Sequence, residues 1–173
     1  MKTEDLRALQ APLKQHYREK PGAALITLKA QGRLGEGITC KVQTGKALAE
    51  AGQHPATGGD GLSVCSGDML LEALVACAGV TLSSVATALG IELRESIVRA
   101  EGVLDFRGTL GVSKDVPVGF QHIELAFDLD TDATEEQLAT LIRLTERYCV
   151  VYQTLRHAPQ IEVTHRREPA AMP

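Results

Sequence analysis

Cysteine is the residue type in this chain best placed to do chemistry, and there are four: Cys40, Cys65, Cys77 and Cys149. No two form Cys-x-x-Cys and none has a histidine at zinc-ligand spacing, so neither a structural metal nor a metal cofactor is expected. Cys77 and Cys149 stand out. Each lies among small or β-branched apolar neighbours, in Ala76-Cys77-Ala78 and Tyr148-Cys149-Val150, inside a helical pattern. A buried cysteine can be plain apolar bulk. Redox or nucleophilic use needs a thiolate, and a thiolate needs a cation, a helix N-terminus or a donor beside it. Cys77 lies roughly three turns into its helix, beyond the reach of the N-terminal dipole. An arginine from elsewhere would have to activate it, and Arg33, Arg99 and Arg107 are the candidates.

Other chemistry is poorly represented. There is no Gly-x-Ser-x-Gly elbow, no His-Glu-x-x-His and no Walker-type phosphate loop. Thr57-Gly58-Gly59-Asp60-Gly61 lacks the flanking strand and helix of a phosphate cradle and is expected to be a plain loop. His54 and His122 have no partner at ligand spacing, and Asp68 and Glu72 can simply satisfy the dipole of the helix they open. With 18 basic against 22 acidic residues there is no concentrated basic face for nucleic acid, and 3% aromatics leaves few rings for stacking on bases.

The elements that must hold these residues follow from periodicity. Thr3 is suited to cap a short helix, Pro12 to open a second helical piece, and Pro21-Gly22 to end it. Alternation of Ala24, Ile26, Leu28 and Ala30, a Gly-rich turn over 32–37, and Ile38, Cys40 and Val42 predict a β-hairpin. A helical turn is expected over 46–51 and a loop over 54–61. Gly67 to Leu89 predicts a central helix apolar on almost every face, with Gly90 at its left-handed C-terminal cap. Ala73 to Ile91 carries no charge and could imitate a membrane span, but few large aliphatics and no basic flank favour a buried core helix. One chain with about six strands can hardly enclose such a helix, so a second subunit is the natural cover.

Strands are predicted over 97–107, with Val98, Ala100, Leu104 and Phe106 inward and Arg99, Glu101, Asp105 and Arg107 outward, and over 120–130. Thr134-Glu135-Glu136-Gln137 is a capping-box signature opening the last long helix, which carries Cys149 near its end. A final strand, Gln160–His165, is expected to close the sheet. The fold class is α+β. Length and a 44% apolar fraction suit one domain: a helical extension over 1–22, the domain proper over 23–165, and a frayed tail over 166–173. The acidic start Met1-Lys2-Thr3-Glu4-Asp5 does not look like a secretory signal, so a reducing, cytoplasmic setting is expected.

Three stretches together resemble one family. They are Ser66-Gly67-Asp68-Met69-Leu70-Leu71-Glu72-Ala73-Leu74-Val75-Ala76-Cys77, then Asp105-Phe106-Arg107-Gly108 with Pro117-Val118-Gly119-Phe120, and Glu146 through Leu155 around Cys149. They resemble the OsmC/Ohr family, the osmotically inducible and organic-hydroperoxide-resistance proteins, over about residues 23–163. That resemblance implies antiparallel sheets around a long central helix in an intertwined homodimer, with sites at the subunit interface. It also implies a peroxidase in which Cys77 attacks an organic hydroperoxide, Cys149 resolves the sulfenic acid, and an external dithiol, with no bound cofactor, restores the pair. By the same resemblance Arg33 would activate Cys77 and Asp68 would hold that arginine. The chain departs from the family pattern in having Gly67-Asp68 for Pro-Glu, Ala78 for an aromatic residue, and Val150 for a proline. Two alternatives therefore stay open: a dimer that binds an apolar small ligand at its interface, and another thiol-exchange reaction at Cys77. No nucleic-acid or membrane partner is expected.

Overall fold

The apolar run after Ser66 folds as a 24-residue helix, and the rest of the chain is arranged against it. The structure, a computed structural model, describes residues 3–34, 40–42, 51–59, 61 and 64–165, with backbone only for 3–7, 9, 10, 26–34, 40–42, 51 and 52. The elements are α1 (Thr3–Glu19), β1 (Leu25–Leu34), β2 (Cys40–Val42), β3 (Ala51–Gly52), β4 (Val64–Cys65), α2 (Ser66–Leu89), β5 (Ile97–Asp105), α3 (Phe106–Thr109), β6 (His122–Asp128), α4 (Glu135–Tyr148) and α5 (Val150–Arg156).

A four-stranded antiparallel sheet has the order β2-β1-β5-β6, and β3 and β4 form a short parallel pair. The expected hairpin is present as β1 and β2, but Gly32, Arg33 and Leu34, expected in its turn, pair with Val42, Lys41 and Cys40 as strand, and 35–39 lie outside the described residues. β1 then runs the whole length of β5, from Leu25 opposite Asp105 to Arg33 opposite Ile97. Val98, Ala100 and Leu104 alternate into the core, where α2 brings Leu71, Leu74, Val75, Ala78, Leu82 and Ala86. By length and composition α2 could cross a membrane; here it is the helix around which the core is built. Gly90 takes the left-handed conformation (φ 68°) and its N–H caps the carbonyls of Ala86 and Thr87, as its position predicts. The predicted capping box is also present: Thr134 Oγ1 accepts from the Gln137 N–H, and the Gln137 side chain accepts from the Thr134 N–H.

Five expectations are corrected. First, α1 is a single helix with Pro12 inside it. The proline removes one backbone donor without ending the helix, which continues to bury Tyr17 and let its hydroxyl donate to the Ala56 carbonyl at 2.6 Å. Second, β5 ends at Asp105, and Asp105 points inward at 1% exposure. It caps the short α3, accepting the Arg107 N–H, and is sealed by the Arg107 guanidinium at 2.5 Å. Third, β6 is shorter than 120–130 at both ends. Fourth, residues 160–165 pair with no described strand, and Ile161 and Val163 stand 80% and 87% exposed. Their alternation is that of a strand, but this chain offers them no sheet face. Fifth, the helix expected to contain Cys149 is two helices, with Cys149 between them. The helical turn expected over 46–51 lies outside the described residues except for Ala51, which opens β3, and the tail over 166–173 lies outside them altogether.

Candidate functional site

Leu70, Leu74 and Cys77 fall on one face of α2 at intervals of four and three residues. Cys77 is half-buried against the core, and its carbonyl accepts the Thr81 hydroxyl at 2.7 Å, so its backbone is held inside an unbroken helix. Cys149 is held quite differently. Its N–H closes α4 on the Thr145 carbonyl at 2.9 Å, and its carbonyl accepts the Gln153 N–H at 2.9 Å. Its own backbone is extended (φ −70°, ψ 107°), and its Sγ accepts the Tyr152 N–H at 3.4 Å. One cysteine thus caps the end of one helix and the start of the next. A sulfur in the role usually taken by a serine or aspartate oxygen leaves little signature in sequence.

The fold brings these two cysteines together. α2 packs on α4 and α5, which brings the two free thiols Cys77 and Cys149 close enough for Cys77 to influence the ionisation of Cys149. Cys149 is fully buried, and burial, reinforced by the neighbouring Cys77, pushes its thiol up to about 11, against partial relief from the Tyr152 N–H. The pair is therefore asymmetric, with one thiol half-open and the other sealed and held protonated.

Of the remaining predicted residues, Asp68 lies apart from the thiols along α2, and Arg33 is described by its backbone alone. Asp68 precedes Cys77 by nine residues, about 13 Å along the helix axis and half a turn round it. Its neighbour is His54: burial raises the Asp68 carboxyl above its ordinary range, and the imidazole opposes that rise. His54 accepts the Ala56 N–H at Nδ1 (3.0 Å) and stacks on Phe106, ring centroids 5.1 Å apart. Arg33 sits on β1, opposite Ile97 on one side and Lys41 on the other. The other two candidate arginines are engaged: Arg99 pairs with Asp128, and Arg107 with Asp105, whose carboxyl it holds below the usual range. Cys65 is the N-cap of α2, twelve residues from Cys77 and about 18 Å away along the axis. Among the described residues, no group of three or more His, Cys, Asp or Glu is placed to hold a metal ion.

Sequence reasoning passed over the cleft beside the thiols. A cavity of about 550 Å³ lies between β6 and α5, with Leu74, Ile123, Leu125 and Leu155 as one apolar wall, and Gln121, His122, Glu146, Tyr152 and Arg156 as its polar side. Neither cysteine lines the cleft, but Leu74 stands one turn from Cys77 on α2 and the Tyr152 N–H is bonded to Cys149, so both thiols are linked to its wall. The Arg156 guanidinium donates to the Tyr152 hydroxyl at 2.9 Å. The i, i+4 spacing of Tyr152 and Arg156 is the one signal in the sequence that could have found the polar side.

A core helix presenting one thiol, a second thiol at a helix junction and an antiparallel sheet beneath define an α+β protein with an interacting dithiol. The chain belongs to the OsmC-like family, whose model, "OsmC-like protein", matches residues 58–164. Two crystal structures share the fold. An OsmC-like hydroperoxide resistance protein from Jannaschia sp. CCS1 is 19% identical, with a TM-score of 0.56, over 86% of this chain and 97% of that one. An OsmC-like protein from Mycoplasma pneumoniae is 16% identical, with a TM-score of 0.55, over 78% of this chain and 86% of that one. No curated protein sequence matches the chain.

Proposed function

We propose that the protein is a thiol-dependent peroxidase that reduces organic hydroperoxides with Cys77 and Cys149. The observation that carries this reading is the mutual contact of two free thiols with unequal exposure. The half-open Cys77, as thiolate, attacks the distal oxygen of R–O–OH. The O–O bond breaks, the alcohol leaves with a proton, and Cys77 becomes a sulfenic acid. The Cys149 sulfur then displaces hydroxide from that sulfenic sulfur, giving a disulfide and water. An external dithiol reduces the disulfide and is itself oxidised. The raised pKa of Cys149 fits the second role, because a buried neutral thiol does not compete for peroxide. Membership of a family that includes a hydroperoxide resistance protein supports the same reading. In it Arg33 activates Cys77 and Asp68 orients that arginine.

The working unit in this reading is a homodimer in the cytoplasm. Met69, Leu70, Val80 and Leu89 are each 36–40% exposed along the core helix, and Ile161 and Val163 lie bare on an extended segment that pairs with no described strand. A second copy would cover both.

Intact-mass measurement after one equivalent of an organic hydroperoxide is the test. Wild type should lose about two mass units as a disulfide forms, and Cys149→Ser should gain about sixteen as a sulfenic acid. Cys77→Ser should do neither. A wild-type mass that no organic hydroperoxide changes would refute the peroxidase and favour a dimer that binds an apolar ligand.

A further inference from the structure

The cleft beside the thiols has a neighbour. A second cavity, about 730 Å³, lies toward the N-terminal end of α2, with Leu70, Leu104, Leu110 and Val118 as apolar wall and His54 and Cys65 on its polar side. Leu70 and Leu74 stand one turn apart on the helix face that carries Cys77, and each borders one of the two cavities. Among the described residues, only Phe120 borders both. Its ring rests on Gly102 in the middle of β5: a Cβ at that position would come within 2.4 Å of Cε1 of the ring and 3.4 Å of Leu71. Glycine inside a strand weakens it unless something must approach the backbone closely, and here the aromatic ring does. The backbone N–H of Gln121, donating to the Val103 carbonyl at 2.9 Å, fixes the chain beside the ring.

We infer that Phe120 is a partition that sets substrate length, confining the apolar tail of an alkyl hydroperoxide to the cleft beside the thiols and closing off the cavity beyond. The inference rests on the peroxidase reading for the nature of the substrate and deepens it by naming a specificity-determining residue. Phe120 touches neither sulfur and takes no part in bond making. Its effect is on how much tail can be buried. Each methylene seated in an apolar cleft raises affinity by up to about fourfold, and methylenes left in water add nothing. Wild type should therefore gain affinity with chain length until the first cleft is full and then stop gaining.

The test is calorimetric binding of a homologous series of linear primary alcohols to the reduced protein. These are the redox-inert products of the corresponding alkyl hydroperoxides, so binding is read without turnover. Wild type should reach a plateau at a definite chain length. In Phe120→Ala the gain should continue past that length, as the tail passes into the second cavity. Phe120→Leu, which keeps apolar bulk if the alanine variant fails to fold, should place the plateau between the two. A plateau at the same length in wild type and both variants, or no plateau in wild type, would overturn the inference. Because no peroxide is used, a length limit that moves with residue 120 in a protein inert to hydroperoxides would sink the peroxidase reading and leave the partition standing.

Discussion

The raised pKa of Cys149 makes a quantitative statement about stability. In an unfolded chain this thiol ionises near its ordinary value of 9.0, whereas in the fold it ionises near 11. Between those two pH values the native state holds a proton that the unfolded state has released. The unfolded state then binds fewer protons, so stability falls as pH rises through this window. Below it the contribution is fully present. A difference of about two pKa units corresponds to about 3 kcal/mol once the thiol is ionised in both states, of which about 1 kcal/mol is lost by pH 10. The perturbation is alkaline pH, with Cys149→Ala as the reference, since alanine has nothing to ionise. Urea unfolding at pH 7.5 and pH 10, in a reducing agent that keeps both thiols free, gives the two stabilities of each protein. Groups remote from Cys149 titrate over the same range in both proteins and cancel in the difference. Wild type should lose about 1 kcal/mol more than the variant between the two pH values. Equal losses would show that Cys149 ionises as readily folded as unfolded, and the picture of a sealed, protonated resolving thiol would be wrong.

Other outcomes follow from the same structure. Arg33→Ala should slow alkylation of Cys77 by a thiolate-selective reagent below pH 7, if Arg33 is the activating cation; identical rates would exclude it. Arg107 holds the Asp105 carboxyl below its usual range, so that pair stabilises the fold above about pH 4 and its contribution fades as the carboxyl protonates at lower pH. Asp105→Ala should cost about 1 kcal/mol or more near neutrality through the lost cap of α3, and should flatten the acid limb of a stability–pH curve. An acid limb as steep as that of wild type would contradict this. Light scattering at micromolar concentration should give twice the chain mass of 18.5 kDa, and a monomer mass with a cooperative unfolding transition would refute the dimer.

What could be seen in the sequence was whatever a periodic pattern or a cap encodes locally. The core helix with its glycine end, the alternation of β5 and β6, and the Thr134–Gln137 box all belong to that group. The break at Cys149 was invisible because Val151, Tyr152 and Leu155 continue a helical spacing straight through it, and the residue that interrupts the ladder is an uncommon cap. Asp105 was misassigned because strict alternation puts it outward, whereas the strand stops there and the carboxylate turns in to meet Arg107. Residues 160–165 carry a true strand pattern, but a pattern names a face and not the sheet it lies on. The contact between Cys77 and Cys149 could not come from spacing at all, since they are far apart in the chain on separate helices. Only the family resemblance suggested it.

The contrast between the two cysteines' surroundings bears on how such a pair could cycle. A disulfide constrains both sulfurs to about 2 Å and holds the two Cα atoms within about 7 Å, so any adjustment its closure requires falls on whichever backbone yields more easily. Cys77 is poorly placed to yield. It is inside α2, its carbonyl is tied to Thr81, and the helix buries Leu74, Val75 and Ala78 on either side of it. Cys149 stands extended at the gap between α4 and α5, with one helical hydrogen bond on each side, to the Thr145 carbonyl and from the Gln153 N–H. α5 buries none of its residues and is linked back to α4 by the Gln153 side chain on the Glu146 carbonyl at 2.7 Å. Closing a bond to Cys77 would withdraw the Cys149 sulfur from the Tyr152 N–H, a weak sulfur hydrogen bond, and shift a short helix that only half-buries Val151, Tyr152 and Leu155 against the core. The reverse step, reduction, would restore that bond and the helix start together. Placing the second thiol at a junction lets the oxidised and reduced forms differ in a short, half-buried helix while the core around Cys77 keeps its packing.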